Sequence, residues 1–345
     1  MSHGREDLED NMDSIPILNG PAQISEWQKK EFEKQGYRVV GSHAVVKVCE
    51  WTKKAIRGKD TCYKCQFYGI NSWRCVEMSP TFFCDHKCVF CWRNTHYSTP
   101  AWIGPIDDPN TIIDGCIKEW QKMLCGFGGS EKADQQRYHE ATQLQPLHFA
   151  ISLTGEPTFY PRLPELIESL TKRGISSFLV TNGTIPSMIK KLIQHPPTQL
   201  YVSVYGPDEE TYKKTAMPLL KDGWARLQET LSTLGEFPRT TIRLTLTKGW
   251  NLINPQGYAK LLQDVDVDFI EVKGYMWVGH STKRLNPTDM PTHAELRNFA
   301  QEFCQTAGYT ILDDKEVSRV ILLAKKDKPN RIMNFAHKAE RINEL

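Results

Sequence analysis

Short apolar, β-branched runs recur along the chain and alternate with amphipathic stretches of helical length. The runs are CVEMSPTFF (75–83), LHFAISL (147–153), SSFLVT (176–181), QLYVSV (199–204), TIRLTLT (241–247), DFIEVKG (268–274) and SRVILLA (318–324). The stretches between them predict helices over 110–124, 164–174, 187–194, 223–235, 258–265 and 294–304. Such alternation implies an α/β fold with a parallel sheet and helical crossovers. Six repeats in roughly 200 residues are too many for a small doubly wound sheet and suit a partial (β/α)6 TIM-like barrel. The barrel is expected over 75–324. An extension over 36–74 precedes it, a mobile tail occupies 1–35 and a basic tail occupies 325–345.

A barrel of this kind carries its chemistry at the C-terminal ends of the strands and in the loops that follow. Reactive residue types do fall there. Cys84 follows the first run, and Thr154, Gly155 and Glu156 follow the second. Thr181, Asn182 and Gly183 end the third, Ser203 the fourth, and Glu271 and Lys273 the sixth.

Composition narrows the setting. Hydrophobic residues make up 40% of the 345, enough for a real core. No apolar run reaches the ~18 residues of a membrane span. The start, MSHGREDLEDNMD, has no apolar signal region, so a cytoplasmic protein is expected. In a reducing compartment, ten cysteines read as metal ligands or buried thiols rather than disulfides. Seven of them lie between positions 49 and 91. Cys116, Cys125 and Cys304 read as small core hydrophobes.

Net charge is only +2, but it is unevenly spread. Residues 43–75 carry seven basic groups against two acids, and residues 315–345 carry eight against four. Two basic ends suggest an anionic partner, although two solvated surfaces would look the same.

The stretch CDHKCVFCWRN spaces Cys84, Cys88 and Cys91 by three and then two residues. A structural zinc site takes four ligands in paired spacings, and a ferredoxin cluster takes four thiolates. Three cysteines on one loop instead wrap a cubane and leave one iron open. His86, inside that loop, is expected to point to solvent. Upstream, Cys49, Cys62 and Cys75 are spaced thirteen apart, twice. They cannot form one ligand loop, but they can converge in space and clip the extension together.

The C-x3-C-x2-C loop, with Phe90 before its last cysteine, resembles that of radical S-adenosylmethionine (SAM) enzymes. Thr154-Gly155-Glu156-Pro157 resembles that family's Gly-Gly-Glu element, with Thr154 in place of the first glycine. VKVCEW, DTCYK, FYGINSWRC, FCDHKCVFCWR, SLTGEPT, LVTNGTIP, TQLYVSVYGPD, DGWARL and RLTLTKG, in that order between about residues 36 and 324, resemble the tRNA 4-demethylwyosine synthase family.

The resemblance implies a radical SAM barrel with an N-terminal cluster-binding extension. It implies two [4Fe–4S] clusters, one on Cys84, Cys88 and Cys91 binding SAM, the other on Cys49, Cys62 and Cys75 with an iron open to pyruvate. Cys65 is extra to the pattern and reads as a bystander. Glu156 would accept from the SAM ammonium, with Thr154, Gly155, Asn182 and Ser203 as further SAM contacts.

Lys64, two residues after Cys62, would form a Schiff base with pyruvate. A lysine becomes a nucleophile where positive charge or desolvation favours its neutral form. The implied reaction is that of a lyase acting on tRNA carrying N1-methylguanosine at position 37. Hydrogen is abstracted from the methyl group, the carbon radical adds to pyruvate, and the carboxyl fragment leaves to give 4-demethylwyosine. With no flavodoxin-like segment in the chain, an external electron donor is expected. Lys53, Lys54, Arg57 and Lys59 on the extension, with Lys325 and Lys326 after the last run, are expected to flank the barrel mouth and hold RNA phosphates. Trp51, Tyr63, Phe67, Tyr68, Trp73 and Trp92 are candidates for base stacking or for core.

Overall fold

The computed structural model describes residues 16–18, 24–95 and 98–335. Strand β1 (Ile17–Leu18) and helix α1 (Glu26–Lys34) come first, then a hairpin of β2 (Tyr37–Val40) and β3 (Ala44–Lys47). Two short helices follow, α2 (Glu50–Ile56) and α3 (Tyr63–Tyr68), before β4 (Cys75–Ser79). Strand β5 (Trp102–Ile103) pairs with β1, and α4 (Pro109–Leu124) and α5 (Gln135–Gln143) lead into the main body.

There the chain runs β6 (His148–Ile151), α6 (Leu163–Lys172), β7 (Ser176–Thr181), α7 (Pro186–Leu192) and β8 (Gln199–Val204). It continues through α8 (Glu209–Ala216), α9 (Gly223–Ser232), β9 (Thr240–Leu246), α10 (Pro255–Leu262) and β10 (Phe269–Gly274). Helix α11 (His293–Ala307) and an antiparallel pair, β11 (Thr310–Lys315) and β12 (Val320–Ala324), complete it.

Local sequence explains the helix starts. Asp108 accepts from Asn110 N and Thr111 N ahead of Pro109, which needs no donor at the first helical position. Thr292 and Glu295 form a reciprocal capping box on α11, and Gly308, at φ +68°, ends that helix.

Strands β4, β6, β7, β8, β9 and β10 are parallel neighbours in chain order, giving the expected six-stranded partial barrel. Alternate residues face opposite sides, as strand geometry requires. Phe149, Ile151, Leu179, Leu200, Val202, Ile242, Leu244, Ile270 and Val272 face the helices in one large core. The inward set differs. Near the N-terminal ends of the strands it is apolar, with Phe178, Tyr201 and Phe269. Towards the C-terminal ends it turns polar, with Glu77, Ser152, Asn182, Ser203, Arg243 and Lys273.

The N-terminal part departs from the expected tail and side extension. Residues 1–15 and 19–23 lie outside the described residues, but 26–34 is a helix with a Ser25–Gln28 capping box rather than a tail. The β2–β3 hairpin is no appendage: β3 pairs antiparallel with β4 and extends the barrel sheet. Helix α3 goes further, inside the barrel, where Tyr63, Phe67 and Tyr68 pack on Phe178, Tyr201 and Phe269. Burying each of those aromatics contributes roughly 1.5–3 kcal/mol, which makes α3 the plug of the barrel.

Two hydrogen bonds to carbonyls of α3 hold the plug from below. Met333 N donates to Tyr68 O at 2.9 Å, and Arg331 Nη1 donates to Phe67 O at 3.0 Å. A Cβ on Gly69 would meet Met333 O at 2.5 Å, so only glycine admits that strap. The final basic segment is thus a structured brace as far as Phe335, and residues 336–345 lie outside the described residues.

Candidate active site

Two cavities open at the C-terminal ends of the parallel strands. The first, of about 290 Å³, is lined by Cys84, Cys88, Cys91, Gly155, Glu156 and Ser203 among others. The second, of about 800 Å³, is lined by Cys49, Cys62, Lys64, Cys75 and Glu77 among others. Each expected cysteine triad therefore lines its own cavity. Trp92, Ser152, Arg243, Lys273 and Val278 line both, so the two adjoin along a seam.

The first cavity is built by two loops locked together. Glu156 N donates to Phe83 O at 2.6 Å, and Ser79 Oγ donates to Thr154 O. Gly155 sits at φ +67°, where a Cβ would meet Phe83 O at 2.7 Å and Thr81 O closer still. Its glycine is demanded both by the left-handed backbone and by contact with the cysteine loop.

The carboxylate of Glu156 is buried and well bonded. Oε1 accepts from Thr158 N (3.1 Å), Thr158 Oγ1 (2.7 Å) and Thr181 Oγ1 (2.6 Å), and Oε2 accepts from Asn182 N (2.7 Å). Burial nonetheless raises its pKa to about 7. Asn182 N is the one donor to Oε2 among the described residues, which leaves that oxygen room for a cationic ligand.

Asn182 lines the cavity, yet its amide is engaged in structure. Nδ2 donates to Asp85 Oδ1 at 2.6 Å, and Oδ1 accepts from Thr184 N at 3.0 Å and Thr184 Oγ1 at 2.7 Å. Its side chain positions the cysteine loop. Thr154 and Ser203 are buried and line the same cavity.

His86 corrects an expectation: it is buried, not directed to solvent. Its Nε2 lies 2.9 Å from Tyr212 OH, its ring packs edge-on to Tyr205 and Tyr212, and burial lowers its pKa. The loop's own apolar surroundings explain this, since Phe82, Phe83 and Val89 are all buried beside it.

Two arginines that sequence reading passed over brace the triad. Arg93, buried, donates through Nη2 to His86 O (2.7 Å) and Ser98 Oγ (3.2 Å). Burial opposes its charge, but the Cys84, Cys91 and Cys88 sulfurs outweigh that and hold its pKa up. Arg284 donates through Nε to Val89 O at 3.0 Å and through Nη2 to Cys91 O. Arg93 follows the motif directly, and that adjacency was the available signal.

In the second cavity, Cys49 sits just before α2 and Cys62 just before α3, each without a side-chain capping bond, while Cys75 opens β4. Burial raises all three thiols, Cys75 to about 12. The Cys84 thiol is likewise raised to about 12, chiefly by burial. Loading metal at either triad must displace these protons. Three thiols facing each cavity suit the donor set of a cubane with one iron free. Among the described residues, no three His, Cys, Asp or Glu side chains converge on a single-ion site. Cys65 does not line the cavity.

Lys64 is buried, with its ammonium 5.2 Å and 4.9 Å from the ring centroids of Phe178 and Tyr201. Glu77, which sequence reading did not select, faces the same cavity from β4. Burial raises its pKa, and Lys64, Cys49 and Lys47 pull the other way. Lys273 lies on β10, where burial and then Arg243 lower its pKa to about 8.

The basic patches separate. Lys53, on α2, lines the second cavity, and Lys54 lies over Trp51 at 4.5 Å. Arg57 and Lys59 are exposed just beyond that helix. Lys325 and Lys326 do not flank the mouth. Strand β12 runs antiparallel to β10, so its end delivers them to the N-terminal, closed end of the barrel. There Lys325 Nζ donates to Gln263 O at 3.0 Å, and Lys328 pairs with Asp268. Tyr63, Phe67 and Tyr68 belong to the core, whereas Trp51, Trp73 and Trp92 are half-buried. Cys116 is buried as expected, but Cys125 is exposed at the end of α4 and is no core residue.

No helix among the described residues is long and apolar enough to cross a membrane. Residues 78–262, more than half of the chain, match the radical SAM superfamily, and residues 264–325 match wyosine base formation. The S-adenosyl-L-methionine-dependent tRNA 4-demethylwyosine synthase of Pyrococcus abyssi is 44% identical over 86% of this chain and 88% of its own. The mouse protein of that name is 39% identical over 94% of this chain but 45% of its own.

A solved structure of TYW1 with a lysine–pyruvate adduct bound matches with a TM-score of 0.81 at 35% identity, covering 90% of this chain and all of that one. A crystal structure of archaeal TYW1 matches at 0.73 and 33% identity, again over 90% of this chain and 100% of the other. The barrel, the cysteine loop and these likenesses agree: the chain belongs to the S-adenosyl-L-methionine-dependent tRNA 4-demethylwyosine synthase family of the radical SAM superfamily.

Proposed function

We infer that the protein condenses N1-methylguanosine of tRNA with pyruvate to form 4-demethylwyosine, a lyase reaction that breaks the C1–C2 bond of pyruvate. The observation that carries this reading is the pair of adjoining cavities, each lined by one cysteine triad, with a buried lysine in the larger. Cys84, Cys88 and Cys91 would hold one [4Fe–4S] cluster, and Cys49, Cys62 and Cys75 a second. When bound, the first cluster and SAM together supply a carbon radical, using one electron from an external donor.

The chain's own residues do the rest. Glu156 Oε2 would accept from the SAM ammonium, and Gly155 lets its loop pack directly against the cysteine loop. The Lys64 amine attacks the ketone carbon of pyruvate, whose oxygen leaves as water. Its burial against Phe178 and Tyr201 keeps bulk water from reversing that condensation. Methylguanine enters at the strand C-termini, beside the exposed residues Met276 and Val278. A flipped base suits this route, because the carbon to be attacked must reach an enclosed site.

The test is product mass from methylguanosine-bearing tRNA with SAM, pyruvate and a reductant. A gain that depends on pyruvate is expected, and its absence overturns the reading. Reduction with borohydride in the presence of pyruvate, followed by peptide mapping, should mark Lys64. A mark on Lys273 would move the nucleophile there. About eight irons per chain after anaerobic reconstitution would support two clusters, and about four would remove the second.

A further inference from the structure

The seam between the cavities carries more positive charge than the protein neutralises. Arg243 is gripped from behind: Glu271 Oε2 accepts from its Nε at 3.2 Å and its Nη2 at 3.1 Å, and Nη2 also donates to Tyr63 OH at 2.7 Å. Glu271 is then fully used, since Oε2 also accepts from Tyr63 OH at 3.0 Å and Oε1 from Tyr68 OH at 2.9 Å. This grip fixes the guanidinium plane and leaves Nη1 without a protein acceptor among the described residues, in a side chain that lines both cavities.

Lys273 stands beside it. Its ammonium donates once, to Ser318 O at 3.1 Å, and lies 5.3 Å from the centroid of the same Tyr63 ring that Arg243 grips. No carboxylate among the described residues lies within ion-pair distance of it. Lys64 completes the group, its ammonium and the Arg243 guanidinium lying 4.9 Å and 4.8 Å from the centroid of Tyr201. A flat guanidinium edge with spare donors next to an unpaired ammonium matches one small planar anion, a carboxylate.

We propose that the Nη1 edge of Arg243 and the ammonium of Lys273 form the carboxylate subsite for the keto acid, turning its ketone carbon towards Lys64. The proposal rests on the reading that pyruvate is the co-substrate. It makes the seam the element that selects an α-keto acid over a neutral ketone. Arg243 and Lys273 are positioning residues whose effect depends on the charge of the donor.

The test compares pyruvate with pyruvamide, which has the same shape but no charge, in the reconstituted enzyme with methylguanosine-bearing tRNA and SAM. Wild-type enzyme should favour pyruvate strongly. Lys273→Gln should lower kcat/KM for pyruvate about 10- to 100-fold, the range for removing a buried charge-assisted hydrogen bond, and barely affect pyruvamide. Arg243→Lys keeps the charge but removes the fork, so it should narrow the preference in the same direction while sparing the Glu271 pairing. Calorimetry with oxamate, an unreactive keto-acid mimic, should show the matching drop in affinity in both variants. Equal decreases with pyruvate and pyruvamide, or an unchanged ratio and unchanged oxamate binding, would overturn the subsite. If wild-type enzyme makes no pyruvate-dependent product, the co-substrate reading itself has failed, and the subsite falls with it.

Discussion

Asn182 Nδ2 donates to Asp85 Oδ1 at 2.6 Å, tying the end of β7 to the middle of the cysteine loop. Asp85 is fully buried, and its other oxygen has no hydrogen-bond partner among the described residues, with only the His86 ring 4.0 Å away, so this bond is its main compensation. Asn182→Ala should cost about 1–3 kcal/mol in stability, the range for stranding a buried polar group, and should weaken SAM binding. Denaturant midpoints with SAM titration measure both. Unchanged values would remove Asn182 from its positioning role.

Glu156 should make SAM binding depend on pH. With its pKa raised to about 7, the folded empty protein holds a proton there that the unfolded chain has shed by that pH. Stability contributed by this group is thus full at low pH and declines as pH rises from the normal glutamate range through 7. Ionisation favours a cationic ligand, so SAM affinity should rise over the same window. Glu156→Gln should flatten that rise and bind SAM weakly at every pH, as read by equilibrium dialysis.

Gly155→Ala should be far more damaging than its one methyl suggests. The left-handed backbone alone costs about 1–2 kcal/mol, and the clash with Phe83 O adds to it. Displacement of the cysteine loop should then appear as reduced iron retention at the first triad, measured as iron per chain.

Arg93 would offset the negative charge of the three loop sulfurs once they become thiolates holding a cluster. Arg93→Met should therefore lower the midpoint potential of a cluster held there, because adding an electron becomes harder without the cation. Arg93→Lys should restore part of the shift. Electron paramagnetic resonance titration reads the change, and an unaltered potential would leave Arg93 as a purely structural brace through His86 O and Ser98 Oγ.

Charge reversal at Lys53 and Lys54 should weaken tRNA binding and flatten its salt dependence, the logarithmic slope falling by roughly 0.7–0.9 for each phosphate no longer neutralised. The same reversal at Lys325 and Lys326 should do much less, because those residues sit at the closed end of the barrel. Filter binding across a salt series separates the two patches.

Much of the barrel was legible because burial on both faces writes parallel strands as continuous apolar runs. QLYVSV is β8 residue for residue, and SSFLVT is β7. The cysteine positions were legible from spacing, and each triad lines a cavity. Helix α3 was not, since six residues carry too little periodicity to announce a helix, let alone one inserted into a barrel. Arg243 was hidden by the same alternation that exposes strands: TIRLTLT reads as one buried run, and only tertiary pairing reveals which alternate residues face inward. Glu271 and Lys273 stood at the end of a run, but their role depends on Arg243 and on Tyr63, far away in sequence. His86 and Cys125 depart from expectation because single residues carry no periodic signal of burial.

The strap beneath α3 has a consequence for assembly. Arg331 and Phe67 are 264 positions apart, yet their contact secures the helix that carries Cys62 and Lys64. Lys315 likewise reaches back 254 positions to Thr61 O, just before that helix. The second cavity is thus closed by contacts of very high sequence separation, each of which carries the entropy cost of closing a long loop of chain. A chain that stopped at Ala324 would keep every parallel strand and both triads but would lack the brace. The larger cavity therefore takes its final shape only once residues near the end of the described chain have packed beneath α3.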